Sequence, residues 1–198
     1  MPSLSELQEL GQSVWFDFIR RSLITSGELK ALVAQGVRGV TSNPAIFEKA
    51  IAGTTDYDEE IKDLAKTGPS VEALYETLAI KDIQLAADEL APVYRSTAGR
   101  DGYVSLEVSP FLANDAEGTA AEARRLFEAV GRPNLMIKIP ATAAGLPAVT
   151  ASIAAGVNVN VPLIFGLSNY RAVADAYIAG LEQLALRGPS VRGGHPVD

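Results

Sequence analysis

The stretch that decides the fold is LMIKIP, residues 135–140, a short apolar run with one lysine inside it. Leu135, Met136, Ile137 and Ile139 flank Lys138 in the sequence, and Pro140 closes the run. A run this short, rich in branched residues and bounded by proline, predicts a buried strand. Lysine is among the residues least often found buried. The stretch therefore predicts a strand that carries an unusual polar group.

Two interpretations of Lys138 follow from this stretch alone. Burial removes the hydration of an ammonium and favours the neutral amine. A neutral amine is the nucleophile that forms a Schiff base with a ketone or an aldehyde. In the other interpretation, Lys138 lies at a strand end and extends its ammonium to solvent. The polar residues of the other strands bear on this choice.

Short apolar runs alternate with helical patterns along the whole chain. The predicted strands cover residues 13–18, 37–43, 103–110, 135–140 and 157–165, and the predicted helices cover 3–11, 26–35, 45–50, 56–66, 69–94, 115–130, 145–155 and 168–186. This alternation predicts a parallel sheet covered by helices. An open doubly wound sheet and a closed (β/α)8 barrel both fit the order, although five strands fall short of a barrel. No Gly-rich phosphate loop follows the first strand, so the signature of nucleotide binding is missing.

Length and composition indicate a globular protein. The 198 residues suffice for one sizeable core or two small ones, and 47% hydrophobic with 21% charged residues is typical of soluble proteins. No apolar run approaches the length of a membrane span. Residues 1–9 contain no basic residue and match neither a secretory signal nor a transit peptide. The sequence has no cysteine, and a cytoplasmic location is the expectation.

The charge balance narrows the function further. A net charge of −7 argues against non-specific nucleic-acid binding, although a local basic pocket for a phosphorylated metabolite remains open. The only histidine is His195, near the end of the sequence. This argues against Ser-His-Asp or Cys-His catalysis and against a multi-histidine metal site. Acid–base chemistry then depends on carboxylates, lysine or tyrosine.

Each predicted strand carries a polar residue where an apolar one is expected. These residues are Asp17, Asn43, Glu107, Lys138 and Asn160. In a parallel barrel, such groups converge at the carboxyl ends of the strands. The set suits Schiff-base chemistry, in which the lysine forms an imine, a carboxylate moves protons and amides hold hydroxyl groups.

Each of these residues also has a purely structural explanation. Asp17 could pair with one of the two arginines that follow it, and Asn43 could cap the helix that begins at Pro44. Glu107 could form an ion pair with Lys138 for stability alone. Any one of these explanations is more common than catalysis. Five polar residues on five consecutive strands nevertheless favour a common site.

Five segments together resemble the transaldolase family. The resemblance extends from about Leu10 to Leu186 and is closest to the longer bacterial branch, which includes domains fused to glucose-phosphate isomerase. The segments are VWFDFIRRSL (14–23), GVTSNPAIFEKAI (39–51), VSLEVSP (104–110), LMIKIPAT (135–142) and GVNVNVPLIF (156–165). The resemblance implies a (β/α)8 TIM barrel of class I aldolase type. Residues 1–198 would form a single partial domain with about five or six of the eight units.

The resemblance also implies an activity. A transaldolase moves a dihydroxyacetone unit from a ketose phosphate (sedoheptulose 7-phosphate or fructose 6-phosphate) to an aldose phosphate, in the pentose phosphate pathway. The expected partners are phosphorylated sugars, with neither nucleic acid nor membrane, and no metal or organic cofactor is expected. A homo-oligomer is a further expectation. The alternatives are a divergent enzyme that acts on an unusual sugar phosphate, and a catalytically silent barrel fragment that binds sugar phosphates or a partner chain.

The site residues carry over from the matching motifs. Lys138 matches the Schiff-base lysine, Glu107 the carboxylate that works through a water, and Asp17 the carboxylate that takes the hydroxyl proton in carbon–carbon cleavage. Asn43 and Asn160 match the asparagines that bind the dihydroxyacetone moiety. The neighbouring hydroxyl residues expected to bind substrate are Thr41, Ser42 and Thr142.

Three features depart from the family pattern. Pro162 replaces a threonine that holds the catalytic water, and a proline inside a central strand is unusual. Gly166 replaces a common serine. The sequence ends at Asp198, before the expected sixth strand. We therefore expect either a truncated chain or a short homologue that completes itself by oligomerising.

Overall fold

The computed structural model describes residues 4–187, which form two compact units. The first unit ends at Leu106 and contains α1 (Leu4–Glu9), β1 (Trp15–Phe16), α2 (Arg21–Thr25), α3 (Glu28–Ala34), β2 (Gly39–Thr41), α4 (Pro44–Gly53), α5 (Asp58–Ala65), α6 (Val71–Ser96) and all but the last residue of β3 (Tyr103–Glu107). The second begins at Glu107 and contains a 3-10 turn (Pro110–Leu112), α7 (Ala116–Val130), β4 (Leu135–Lys138), α8 (Gly145–Ala154), β5 (Val159–Asn160) and α9 (Leu167–Leu186). The single domain expected over residues 1–198 stays a prediction. The segment around His195 lies outside the described residues.

The strands pair in parallel within each unit. In the first, Trp15 pairs with Gly39 and Val40 with Val104, so the order is β1-β2-β3. In the second, Ile137 pairs with Val159, which joins β4 to β5. The parallel α/β class predicted from the alternating pattern is therefore confirmed.

The predicted helices all occur, with shifted ends. Gly131 ends α7 in the left-handed conformation at φ 59°, as a glycine after a helix should. Two elements were missed, α2 and the 3-10 turn, because each is too short to show a period. Among the described residues, no helix is both long and apolar enough to cross a membrane.

The fifth strand is much shorter than predicted. The pattern over residues 157–165 predicts one run, whereas β5 ends at Asn160. Pro162 has no backbone N–H to donate, and Leu163 takes the left-handed φ of 59°, which ends extended structure. Pro162 therefore lies outside the strand, and the expected proline inside a central strand is wrong.

Trp15 and Gly39 make a close contact between the first two strands. The indole of Trp15 lies directly over Gly39, where a Cβ atom would overlap the ring. The indole N–H donates to Ser13 Oγ at 3.0 Å. Only glycine fits at position 39, because the indole of Trp15 occupies the space that a side chain would need.

A buried polar network holds the segment after β1 in the first unit. Asp82 on α6 is fully buried and accepts from Arg21 Nε and from the Tyr57 hydroxyl, the latter at 2.7 Å. The Tyr57 oxygen in turn accepts from the backbone N–H of Arg21 at 3.0 Å. Burial and the bond to Asp82 raise the pKa of Tyr57, so its hydroxyl stays protonated and remains a donor.

Glu60 extends this network toward solvent. It accepts from Arg21 at 2.6 Å and from Lys81 at 2.7 Å. Burial opposes ionisation of Glu60, but the bonds from Lys81 and Arg21 outweigh it and lower the pKa of the carboxyl. The guanidinium of Arg21 is therefore enclosed by two carboxylates and the Tyr57 ring, whose centroid is 5.2 Å away.

We expect Asp82→Asn to lower the free energy of unfolding of the chain by about 3 kcal/mol. Removing one partner of a buried pair leaves the other charge uncompensated, although Glu60 retains part of the compensation for Arg21. The measurement is urea denaturation followed by circular dichroism. Glu59→Gln is the control, because Glu59 pairs with Lys62 on the surface and its loss should change stability by less than about 0.5 kcal/mol. Equal effects of the two substitutions would contradict the role of Asp82.

Candidate active site

In the first unit, the predicted site residues lie at the carboxyl ends of β1 and β2. Asp17 directly follows β1, and Thr41 is the last residue of β2. Because Phe16 pairs with Val40, Asp17 comes level with Thr41 when the parallel register is continued by one residue. This end of the strands is where parallel α/β proteins bind their ligands.

Hydroxyl groups fix the end of β2 against β3. Ser105 Oγ donates to Thr41 Oγ1 at 2.8 Å, and Ser42 Oγ donates to the Ser105 carbonyl at the same distance. Ser42 and Ser105 are fully buried. Ser105 was missed in the sequence. Ser105 lies two residues before Glu107 on the same strand, and alternate side chains of a strand share a face. This spacing is the sequence feature that could have identified Ser105.

Asn43 has a structural role in this unit. Its side-chain oxygen accepts from the N–H of Ile46 at 2.9 Å and caps α4, in which Pro44 takes the first position. This is the arrangement that the asparagine–proline sequence favours. The structural explanation given for Asn43 is confirmed, and substrate binding by Asn43 stays a prediction.

Asp17 is exposed and forms a salt bridge with neither of the arginines that follow it. Arg21 is engaged by Glu60 and Asp82, and Arg20 lies over the ring of Phe18 at 5.9 Å. The suggested pairing of Asp17 with Arg20 or Arg21 is therefore wrong. The Arg21 network instead fixes the chain a few residues beyond Asp17.

In the second unit, Lys138 and Glu107 form the centre of the candidate site. Lys138 ends β4, Glu107 ends β3, and the Lys138 Nζ lies 3.1 Å from Glu107 Oε2. The lysine side chain is only 10% exposed and the glutamate side chain 23%. The N–H of Val108 donates to the Lys138 carbonyl at 3.2 Å, which fixes the two strand ends side by side.

This geometry shows where the ammonium of Lys138 lies. Lys138 is buried, as the buried strand predicts, although it is also the last residue of β4. The carboxylate of Glu107 faces its nitrogen, so the ion pair named in the structural explanation of Glu107 is present. At 3.1 Å, the carboxylate oxygen is within the reach that general acid–base catalysis requires. A lysine in its neutral form is the amine that attacks a carbonyl.

Asn160 and Thr142 flank this pair in different ways. Asn160 pairs with Lys138 in the strand register, and its carbonyl accepts from the N–H of Ile139 at 3.0 Å. Thr142 Oγ1 donates to the Ala113 carbonyl at 2.7 Å and accepts from the N–H of Gly145 at 2.9 Å. Thr142 thus shapes the turn after β4, and substrate binding by Thr142 and Asn160 stays a prediction.

The predicted site residues form two groups, one in each unit. Asp17, Thr41, Ser42 and Asn43 belong to the first unit, and Glu107, Lys138, Thr142 and Asn160 to the second. Within residues 4–187, no cluster of three or more aspartate, glutamate or histidine side chains is arranged to hold a metal ion. The expectation that no cofactor is needed remains a prediction.

Comparison with known proteins identifies the family of this chain. The family model "Transaldolase/Fructose-6-phosphate aldolase" matches residues 14–191. The chain belongs to this family. The family is a TIM-barrel family, so the predicted fold class is confirmed, with only part of the barrel present in this chain.

Several curated relatives of this transaldolase-family chain are named transaldolases. One from Thermobifida fusca is 54% identical over 195 residues, which are 98% of this chain and 53% of the relative. One from Trichodesmium erythraeum is 52% identical over 95% of this chain and 50% of its own length. "Transaldolase 1" of Streptomyces avermitilis is 50% identical over 98% of this chain and 52% of its own length. The chain spans about half the length of the curated relatives it matches.

We expect Gly145→Ala to distort the turn after β4. A Cβ atom at this position would overlap the backbone oxygen of Pro140, and a backbone atom cannot move aside cheaply. Strain of this kind typically costs about 1–3 kcal/mol of the free energy of unfolding, measurable by thermal denaturation. Gly166→Ala is the matched control, because its Cβ would meet nothing closer than 3.9 Å. Equal melting temperatures for both variants would refute the tight fit at Gly145.

Proposed function

We propose that this chain carries the Schiff-base centre of a transaldolase. The observation that supports it is the buried Lys138, with its Nζ 3.1 Å from Glu107 at adjoining strand ends, in a chain of the transaldolase family. The substrates would be phosphorylated sugars, and the dihydroxyacetone unit would pass from a ketose phosphate to an aldose phosphate.

The reaction begins at Lys138. Its neutral amine attacks the ketose carbonyl, and loss of water from the resulting carbinolamine gives the imine. Glu107 first accepts a proton from the ammonium and then, through a water, moves protons during dehydration and hydrolysis. When the carbon–carbon bond breaks, the imine takes up its electron pair as an enamine, and Asp17 takes the proton of the substrate hydroxyl that becomes the aldehyde. The enamine then adds to the aldehyde carbon of the acceptor aldose phosphate, whose oxygen receives the proton from Asp17, and water hydrolyses the new imine and frees Lys138.

The wider setting belongs to the same proposal. Transaldolase activity places the protein in the pentose phosphate pathway, and the cysteine-free sequence suits a reducing compartment such as the cytoplasm. A homo-oligomer remains part of the hypothesis. Asn43 and Asn160 would bind the dihydroxyacetone moiety, and Thr41, Ser42 and Thr142 would contribute further to substrate binding.

Borohydride trapping tests the Schiff base directly. After incubation with fructose 6-phosphate and borohydride, intact mass should increase by one reduced sugar adduct, and Lys138→Ala should abolish the adduct. Lys138→Arg should also fail, because a guanidinium stays protonated and is not a usable nucleophile. Lys62→Ala is the matched control, since Lys62 is an exposed lysine paired on the surface.

Two results would contradict the proposal. An adduct that persists in Lys138→Ala would assign the imine to another amine. No adduct on the unaltered chain, under conditions in which the Thermobifida fusca relative is trapped, would favour the silent barrel fragment that binds sugar phosphates or a partner chain.

The two carboxylates should affect different steps. Glu107→Ala should slow trapping by about 10²–10⁴-fold, the usual contribution of a general acid–base group. Asp17→Ala should leave trapping nearly unchanged and slow release of the aldose phosphate by a comparable factor. Single-turnover trapping and a coupled assay of aldehyde release, performed on the same preparations, measure the two steps. Equal trapping rates in the two variants would refute this division of roles.

A further inference from the structure

The segment that carries Asp17 is anchored on both sides of this residue. We call residues 17–22, which connect β1 to α2, the Asp17 segment. Before it, Phe16 pairs with Val40 in the strand register. Within it, Ile19 is fully buried, whereas the side chain of Asp17 itself is exposed. The backbone at Asp17 therefore lies between two anchored residues while its carboxylate stays accessible.

Two side chains from the start of α5 hold the far end of the Asp17 segment. The Tyr57 hydroxyl accepts from the backbone N–H of Arg21 at 3.0 Å, and Asp56 Oδ2 accepts from the backbone N–H of Ser22 at 2.9 Å. These are the first two N–H groups of α2, and the N–H groups of a first helical turn have no partner inside the helix. Arg20, at the N-cap of α2, provides no side-chain bond. The helix is therefore capped from outside, by residues 36 and 34 positions later in the sequence.

Both capping side chains are themselves held in place. Tyr57 is fully buried, its ring belongs to one cluster with buried residues of α4 and α6, and its hydroxyl donates to Asp82 at 2.7 Å. Hydrogen bonds from the hydroxyl and the N–H of Ser22 lower the pKa of Asp56, so its carboxylate stays ionised and is a strong acceptor. Caps of this kind fix the position of the backbone that they bind.

We propose that Tyr57 and Asp56 are positioning residues that hold Asp17 for carbon–carbon bond cleavage. The role rests on the proposed function, in which Asp17 takes the proton of the substrate hydroxyl. Neither residue contacts substrate in this proposal, and both act through the backbone of the Asp17 segment. A displacement of about 1 Å at a reacting group can slow a step about 10²-fold, so cleavage should be sensitive to these caps. Imine formation, which uses Lys138 and Glu107, should not be.

Tyr57→Phe removes one cap and keeps the aromatic ring in the core. Aldehyde release should become about 10–10²-fold slower, whereas the rate of borohydride trapping should stay within about two-fold of that of the unaltered chain. Tyr103→Phe is the matched control. The Tyr103 hydroxyl donates to the Gly99 carbonyl at 2.7 Å at the amino end of β3, whereas Asp17 follows the carboxyl end of β1. Both rates should therefore be unchanged in Tyr103→Phe.

A double variant separates positioning from general stability. If Tyr57 acts through Asp17, adding Tyr57→Phe to Asp17→Ala should slow aldehyde release no further than Asp17→Ala alone. A loss that only reflects destabilisation would instead multiply with the loss in Asp17→Ala. Multiplying effects would overturn the proposal, and so would a Tyr57→Phe variant in which trapping and release are slowed equally.

The second cap allows a conservative rescue. Asp56→Ala removes the acceptor of the Ser22 N–H and should slow aldehyde release in the same way as Tyr57→Phe. Asp56→Asn keeps an oxygen acceptor on a side chain of the same size, so release should return to within about three-fold of the rate of the unaltered chain. Equal losses in Asp56→Ala and Asp56→Asn would overturn the positioning role of Asp56.

Amide hydrogen exchange, measured by nuclear magnetic resonance, reports on the same caps without catalysis. In Tyr57→Phe the Arg21 N–H loses its own acceptor, whereas the Ser22 N–H keeps the carboxylate of Asp56. We expect exchange at Ser22 to become about ten-fold faster, because the whole end of the Asp17 segment loosens. Unchanged exchange at Ser22 would overturn the proposal.

Trapping on the unaltered chain separates this proposal from the proposed function. Absence of trapping would contradict the proposed function and, with it, the role of Tyr57 and Asp56. Normal trapping together with undiminished aldehyde release in Tyr57→Phe would overturn the positioning role alone. Trapping without aldehyde release by the unaltered chain would also overturn it, because Asp17 would then not be held for cleavage.

Discussion

The structure depends on the pairing of short parallel strands. A strand of two to five residues cannot hold its place alone, so each one relies on a neighbour in register and on helices that cover its faces. Because neighbouring parallel strands end at the same edge of a sheet, the side chains that close them lie close together. Lys138 and Glu107, the last residues of β4 and β3, meet for this reason. Thr41 and Ser105 meet because they are partners in the register of β2 and β3.

Two pairs of buried charges differ in how far solvent reaches their carboxylates. Asp82 and Arg21 are enclosed by a hydroxyl and a second carboxylate, so the charges of this network are compensated and it serves to hold the chain. Lys138 and Glu107 lie at the ends of neighbouring strands, and the Glu107 side chain is 23% exposed whereas that of Asp82 is fully buried. The two cations are similarly buried, so the pairs differ at the carboxylate, and this is the difference on which the proposed chemistry of Lys138 and Glu107 rests.

The sequence predicted what depends on local pattern. Lys138 as a buried strand residue, Asn43 as a helix cap and Gly131 as a helix end all follow from neighbouring residues. The Arg21–Asp82 bond joins residues 61 positions apart, and no local period announces it. The predicted end of β5 is wrong because apolar residues continue past Asn160, whereas the extended backbone does not. Pro162 has no N–H to donate, and Leu163 takes a left-handed conformation. Apolar composition predicts burial, and α9 with its exposed tyrosines shows that burial also requires a partner.

The contact of Trp15 with Gly39 has a practical consequence. Trp15 is the single tryptophan of the chain, and its side chain on β1 packs against Gly39 of β2 in the first unit. Its fluorescence is therefore a built-in reporter of that unit alone. Far-ultraviolet ellipticity, in contrast, sums the helices of both units. Where the two signals change together during denaturation, the units unfold as one cooperative body; where they separate, each unit has a stability of its own.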